Sequence, residues 1–256
     1  MKNPMSLAGR NILVTGAGQG IGAAIVRLAH DLGAQVIALD IKEDGIAALK
    51  DELGERIDTL VGSTADPDFV QSAVDETVAR HGALHGLVNN AGIVRAAMIA
   101  KMDRKTWQDV IDVNLSGVFY GLQAAGRHML DRIENGDTSP ASIVNISSDA
   151  GRRGTIGQIN YGAAKSGVMG MTMSAAREWS SKGIRINTVC FGVVETPMTE
   201  VIRGEKFRDG VMAQIPMGRF STPEEVSQPV CFLLSEAASY ITGQHLSVNG
   251  GYTIGV

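Results

Sequence analysis

The sequence predicts an α/β protein built on one doubly wound, seven-stranded parallel sheet with helices on both faces. Three observations predict it. Short apolar runs alternate with longer helical stretches from end to end, a glycine-rich turn joins the first run to the first helix, and the 256 residues show no linker, repeat or low-complexity break. Alternation of this kind builds parallel strands whose crossover helices cover both faces of the sheet.

Seven runs read as buried strands: "NILVT" (11–15), "QVIALD" (35–40), "IDTLVG" (57–62), "LHGLVNN" (84–90), "SIVNISS" (142–148), "RINTVC" (185–190) and "HLSV" (245–248). Each is short, apolar and bounded by turn residues. Between them, "GIGAAIVRLAHDLG", "PDFVQSAVDETVARHG" and "PEEVSQPVCFLLSEAAS" read as helices. The last two open on Pro67 and Pro223, preceded by Asp66 and Thr222, an N-cap oxygen followed by a residue with no N–H to satisfy. Longer helices are expected over 106–133 and 160–181. Two stretches break the rhythm. "ENGDTSPA" (134–141) is a polar turn, and residues 195–221 form a polar insertion suited to a lid over a site. The chain therefore reads as a single domain over residues 1–256, with 195–221 as its substrate lid.

Composition narrows the function. A formal net charge of −4, with 44% hydrophobic and 20% charged residues, is ordinary for a soluble globular protein, and scattered basic residues point away from a nucleic-acid surface. No apolar run approaches the ~20 residues a membrane span needs. The opening "MKNPMSLAGR" lacks the apolar centre of a secretory signal. Cys190 and Cys231, the two cysteines, have no metal-like spacing, so a reduced, cytoplasmic protein is expected. His81 and His85 stand four apart, but Gly82 and the strand near Leu84 break the helix between them, and with no third ligand no metal site is expected.

The stretch "TGAGQGIG" (15–22) follows the first strand and opens the first helix. Gly16, Gln19, Gly20, Ile21 and Gly22 are candidate pyrophosphate contacts, since glycines let the backbone turn tightly and approach phosphate at a helix N-terminus. A plain strand-to-helix turn is the competing reading. The βαβ context and Asp40, which closes the second strand, favour a dinucleotide. A carboxylate there accepts hydrogen bonds from ribose hydroxyls and repels a 2′-phosphate. Gln19 and Ile41 supply no cation to offset it, so NAD(H) is expected over NADP(H).

Downstream, "YGAAK" (161–165) sets Tyr161 and Lys165 one helical turn apart on a shared face. A free phenol titrates near ~10, and an ammonium one turn away would lower that value. Ser148 ends the fifth strand, Asn89 and Asn90 end the fourth, and Asn114 falls inside a helix, where asparagine is unfavourable. Taken singly, Ser148 and Asn114 also fit simple capping or solvated roles.

Together these residues resemble the short-chain dehydrogenase/reductase family over nearly the whole chain. "TGAGQGIG", "NNAG" (89–92), "VNLSGVF" (113–119), "ISS" (146–148), "YGAAK", "GVVETPM" (192–198) and "VNGGY" (248–252) occur in the family's order. The resemblance implies a Rossmann fold in which Tyr161 is the general acid/base and Ser148 orients the substrate oxygen. It implies that Lys165 lowers the tyrosine pKa while binding the nicotinamide ribose, and that Asn114 holds a water joining Lys165 to solvent. Val194 and Thr196 would contact the nicotinamide end, and Asn90, Ala91 and Gly92 the adenosine side. The sequence departs from the family at three places. Phe191-Gly192 replaces a usual Pro-Gly, Ser63 and Thr64 stand where an acid often meets adenine, and "ENGDTSPA" is acidic to neutral where carrier-protein reductases are often basic.

These readings define an NAD(H)-dependent oxidoreductase for a small-molecule secondary alcohol/ketone pair, most similar to the 3-oxoacyl-thioester reductase branch, with docking of an acyl carrier protein in doubt. The NAD preference equally fits the oxidative direction, as a 3-hydroxyacyl dehydrogenase, or a 3-hydroxyacyl-CoA substrate. A non-catalytic dinucleotide sensor or scaffold is one alternative, and an isomerase or epimerase using the cofactor transiently is another. Arg152 and Arg153 in "DAGRRG" (149–154) would meet an anionic substrate group or form a solvated turn. Apolar residues on several faces of 106–133 and 160–181, including Val118, Phe119, Leu122, Val168, Met169 and Met171, point to a helix-mediated oligomer. The resemblance implies a homotetramer.

Overall fold

The computed structural model describes residues 3–255; residues 1, 2 and 256 of the expected domain lie outside the described residues. The chain runs β1 (Asn11–Thr15), α1 (Gly20–Asp31), β2 (Gln35–Asp40), α2 (Glu43–Leu53), β3 (Ile57–Val61), α3 (Pro67–His81) and β4 (Gly86–Asn89). It continues through α4 (Arg104–Ile111), α5 (Gly117–Glu134), β5 (Ala141–Ser148), α6 (Ala150–Arg153), α7 (Ile159–Trp179) and β6 (Ile184–Phe191). It ends with α8 (Glu200–Arg203), α9 (Glu205–Met212), α10 (Pro223–Leu234) and β7 (His245–Val248).

All neighbouring strands pair in parallel, in the order β3-β2-β1-β4-β5-β6-β7. Chain direction across the sheet reverses between β1 and β4. The crevice beyond their carboxyl ends is the place where such sheets bind ligands. The two-residue period of a strand sends alternate side chains to opposite faces, and two cores result. On one face Ile12, Val14, Val36, Val88 and Val189 pack against Ile25 of α1, Leu49 of α2 and Val230 of α10. On the other, Leu13, Ile37, Leu87, Ile143 and Ile186 meet Val74 of α3, Leu122 and Met129 of α5 and Val168 of α7.

Several boundaries differ from expectation for identifiable reasons. The expected helix over 106–133 is α4 and α5 separated by a π-helical turn, Asp112–Ser116. Asn114 lies in that turn, fully buried. Its Oδ1 accepts from Ile93 N (2.8 Å) and its Nδ2 donates to Ile93 O (3.0 Å), so an outside strand of backbone satisfies the mid-helix amide. β4 is shorter than 84–90. At one end Leu84 N donates to the His128 ring at 3.0 Å, and at the other Asn90 turns away to bond Thr15. β6 is longer, because Phe191, unlike a proline, continues the ladder. It pairs with Ser148 and Val248 and is buried, so the Phe-Gly departure extends the strand.

The insertion 195–221 folds into a 3₁₀ turn (Pro197–Thr199), α8 and α9. Its base is joined by a bridge between Val194 and Ser221. A small core of Val193, Ile215 and Phe220, with Ile202, Val211, Met212 and Tyr252 against it, holds it together. The polar stretch 134–141 closes at the amino end of β5, where Arg132 donates to Asp137 Oδ2 (2.7 Å) and Pro140 O (2.7 Å). Among the described residues no helix is long and apolar enough to cross a membrane.

Candidate active site

Four segments meet at the carboxyl ends of β1, β4, β5 and β6. The first is the glycine turn. Gly16 and Gly20 have φ of +63° and +53°, a left-handed region that side chains with a Cβ rarely adopt. A Cβ on Gly16 would lie 2.8 Å from Ala91 Cα, and one on Gly22 would lie 2.0 Å from Gly16 O and 2.7 Å from Asn90 Nδ2. The segment after β4 therefore lies directly across the turn. Thr15 Oγ1 accepts from Asn90 N and Ala91 N (both 3.0 Å), and Asn90 Nδ2 donates to Thr15 O and Gly16 O (both 3.0 Å). Thr15 went unassigned in the sequence, although it opens the motif. Its hydroxyl is the pin between the two loops. An alanine at position 22 gives a sharp prediction. In an exposed helix Gly→Ala stabilises by ~1 kcal/mol, but Gly22→Ala is expected to destabilise by ~1–3 kcal/mol through overpacking, measured by urea unfolding.

The residues fit a dinucleotide. The first turn of α1 carries no acidic residue and its N-cap, Gln19, makes no side-chain cap bond, so its N–H groups remain available to an anion. Asp40, at the end of β2, accepts from Gly18 N through Oδ2 and from Lys42 N through Oδ1 (both 2.9 Å). Each carboxylate oxygen keeps a further lone pair for a hydroxyl. Ile41 is exposed, Ser63 Oγ accepts from Ala65 N (3.2 Å), and Thr64 is buried against Gly117 of α5. Thr196, in the loop after β6, approaches the turn from above, since a Cβ on Gly20 would lie 3.2 Å from Thr196 Cγ2. Val194 is buried, and Arg203 of α8 holds this loop by donating to Thr196 O (3.0 Å) and Thr199 Oγ1 (3.1 Å).

Ser148, Tyr161 and Lys165 come together at the end of β5. Ser148 Oγ accepts from Ala150 N at 3.2 Å. Asn160, fully buried, anchors the start of α7: Nδ2 donates to Arg95 O and Thr106 O (both 3.0 Å), and Oδ1 accepts from Tyr161 N (2.8 Å). Sequence reading passed over it, because its partners lie 54 and 65 residues away. Lys165 is buried on the next turn, with Nζ donating to Ile146 O (2.8 Å) and lying 5.6 Å from the Tyr161 ring centroid. Asn114 stands beside Gly92.

Electrostatics depart from expectation at the phenol. Burial pushes the Tyr161 phenol up, and the Ser148 hydroxyl beside it draws it part of the way back. The ammonium, held away by Ile146 O, is not what decides the phenol's direction. Burial also pushes Lys165 down, to about 8. At neutral pH the pair is thus a protonated phenol next to a mostly charged ammonium. Arg152 is no substrate contact: it donates to Ser247 Oγ and His245 O (both 2.8 Å), a strut to β7. Arg153 lies 3.6 Å over the Tyr252 ring.

Against known proteins, residues 16–253 match the family described as enoyl-(acyl carrier protein) reductase. The 3-oxoacyl-[acyl-carrier-protein] reductase of Thermotoga maritima is 43% identical over 253 residues, 98% of this chain and 100% of that protein. An acetoacetyl-CoA reductase of a Synechocystis species is 40% identical over 249 residues, 97% and 98% of the two chains. Among solved structures, a glucose/ribitol dehydrogenase of the short-chain type from Brucella melitensis superposes with a TM-score of 0.89 at 34% identity, covering 97% of this chain and 98% of that one. A protein assigned as a 2-deoxy-d-gluconate 3-dehydrogenase from Agrobacterium tumefaciens, with bound NADP, does so at 0.89 and 35%, covering 98% and 99%. The chain belongs to the short-chain dehydrogenase/reductase family. It is an oxidoreductase of alcohol and carbonyl groups, similar to the 3-oxoacyl-thioester reductases.

Proposed function

We propose that the protein reduces the ketone of a 3-oxoacyl thioester to the secondary alcohol, with NADH as hydride donor and Tyr161 as general acid. The observation that carries this reading is the placement of the half-buried Tyr161 phenol beside the Ser148 hydroxyl, with the Lys165 ammonium 5.6 Å from its ring centroid. A bound nicotinamide supplies the hydride. The chain's own residues do the rest. Ser148 donates a hydrogen bond to the carbonyl oxygen, and Tyr161 delivers its proton there as charge develops. Lys165 stabilises the phenolate left behind, and Asn114 serves the water path that returns the proton.

Gly16, Gln19, Gly20, Ile21 and Gly22 would hold the pyrophosphate, Asn90 to Gly92 with Ser63 and Thr64 the adenosine side, and Val194 and Thr196 the nicotinamide end. Asp40, at the end of β2 where the adenosine ribose would lie, supports NAD(H) although a similar structure carries NADP. Asp40→Ser is expected to raise the NADPH/NADH ratio of kcat/KM at least ~10-fold, about 1.4 kcal/mol, in parallel steady-state assays. The insertion 195–221 acts as a lid in this reading of residues 1–256 as one domain. Phe119 on α5 and Met173 on α7 are exposed apolar residues that support association of these helices in a tetramer. Two buried, unpaired cysteines suit a reduced cytoplasm.

The stretch 134–141 does not bear on carrier docking. It lies at the amino end of β5, at the opposite end of an eight-residue strand and so ~23 Å from Ser148. The name-giving substrates of the relatives, one on a carrier protein and one on coenzyme A, set the decisive experiment. NADH consumption is measured with 3-oxobutanoyl groups on each carrier. Turnover on at least one supports the reading. NADH binding without turnover on either, or on simple ketones, supports a sensor instead.

A further inference from the structure

We infer that Asp149 and Asn249 form a positioning contact through which the segment after β7 sets the orientation of Ser148. The inference rests on the proposed role of Ser148. Its starting point is α6, a helix of four residues, too short to hold its own conformation. Yet its first N–H, from Ala150, is the group that bonds Ser148 Oγ. The placement of α6 therefore bears on the serine hydroxyl, together with β5, which carries Ser148, and the Tyr161 phenol beside it.

Besides its packing on α7, where Ser166 Oγ donates to Gly151 O, and the bond from Asp149 N to Phe191 O (2.9 Å), three side-chain ties run from this segment to β7, the residues after it and the insertion. The Asp149 carboxylate, 2% exposed, accepts from Asn249 Nδ2 through Oδ1 (3.0 Å) and Oδ2 (2.9 Å). Arg152 reaches Ser247 and His245 of β7. Arg153 stacks on Tyr252 and donates to Gln214 Oε1 of the insertion (3.3 Å). A buried carboxylate is costly to leave unpaired, and Asn249 is its main hydrogen-bond partner, ahead of the Thr253 hydroxyl and the Arg153 and Arg152 charges, which makes the first tie the most sensitive.

Asn249 is itself fixed and in contact with the rest of the site. Its Oδ1 accepts from Gly251 N (3.0 Å) and its Nδ2 also donates to Thr253 O (3.1 Å). A Cβ on Gly192 would lie 2.9 Å from Asn249 Cβ, so the loop leading to Val194 and Thr196 presses on it. One residue on, Gly250 O accepts from Met217 N (3.1 Å) of the insertion. One side chain thus sits between the serine's neighbour, the loop after β6 and the base of the insertion. Asp149 and Asn249 do not touch the reacting atoms; they act through Ser148.

The test exchanges the partners. Asp149→Asn leaves two amides face to face, Asn249→Asp leaves two carboxylates, and the double exchange restores one amide and one carboxylate. Ketone reduction, NADH affinity by fluorescence, and thermal unfolding are measured for all three, with Tyr161→Phe in the same series. Each single variant is expected to lower kcat about 10-fold or more, as misplaced reacting groups do, with NADH affinity within about 3-fold. The double variant is expected to recover most of the loss, the mark of a direct coupling. Three results overturn the inference: single variants with unchanged kcat, a double variant no better than the poorer single, or kcat and NADH affinity falling together. Should a single variant fail to fold, the double variant decides, since it must both fold and turn over. Full turnover by Tyr161→Phe would instead remove the proposed function itself, whatever the exchange series shows.

Discussion

Tyr161→Phe is expected to lower kcat for ketone reduction by roughly 10²–10⁴-fold, the range that positioned acid–base groups supply, while NADH affinity stays within a few-fold. The substitution removes one oxygen from a half-buried ring and leaves the anchor of α7 untouched, because Asn160 bonds the backbone N–H of residue 161 and not its side chain. The fold should therefore persist. Stopped-flow NADH oxidation separates the two effects: a lost chemical step leaves the binding phase in place. A phenol is protonated at neutral pH and burial moves its pKa further up, so the wild-type acid is ready there. Its loss is then a loss of proton delivery, and adding more dinucleotide will not restore it.

Lys165→Met is expected to reduce kcat by about 10²-fold or more, and to do so without loss of stability. Lys165 is 2% exposed and its ammonium has one protein partner, Ile146 O. Burial destabilises the charge enough to bring its pKa to about 8, which means that the folded protein carries this ammonium at a cost. Replacing a buried charge by an apolar chain of similar volume is often neutral or stabilising. A melting temperature equal to or above wild type, with turnover nearly abolished, is the expected pair of results. A variant that loses both in proportion would make Lys165 a structural residue.

Much of this was legible in the sequence, and the parts that were not share a physical cause. Seven apolar runs became the seven strands because each is short, apolar and bounded by turn residues, a pattern set locally, although the edge strands β3 and β7 are only partly buried. Tyr161 and Lys165 share one turn of one helix, so their proximity follows from spacing alone. The π turn at Asp112–Ser116 was not legible, since what satisfies Asn114 is the backbone of Ile93, 21 positions earlier. The burial of the Tyr161 phenol, which raises its pKa, was not legible for a related reason. Spacing places an ammonium near the phenol, but only the packing shows that Ile146 O holds it and that burial outweighs it. Asp149 and Asn249 are 100 residues apart, and both look like ordinary turn residues until the carboxyl ends of β5 and β7 are brought to one edge. Arg152, read as a substrate contact or a solvated turn, proved to be a strut because β7 returns beside it.

The pH dependence of NADH oxidation in single turnover tests the central pairing of a protonated phenol with a charged ammonium. With saturating ketone and dinucleotide, Tyr161, whose pKa burial moves above the ordinary phenol value, is still protonated where Lys165 loses its proton, near 8. The rate is predicted to hold near neutrality and fall as pH rises through about 8, with that limb absent in Lys165→Met. A rate that is flat to pH 10, or that rises through this range, would contradict it.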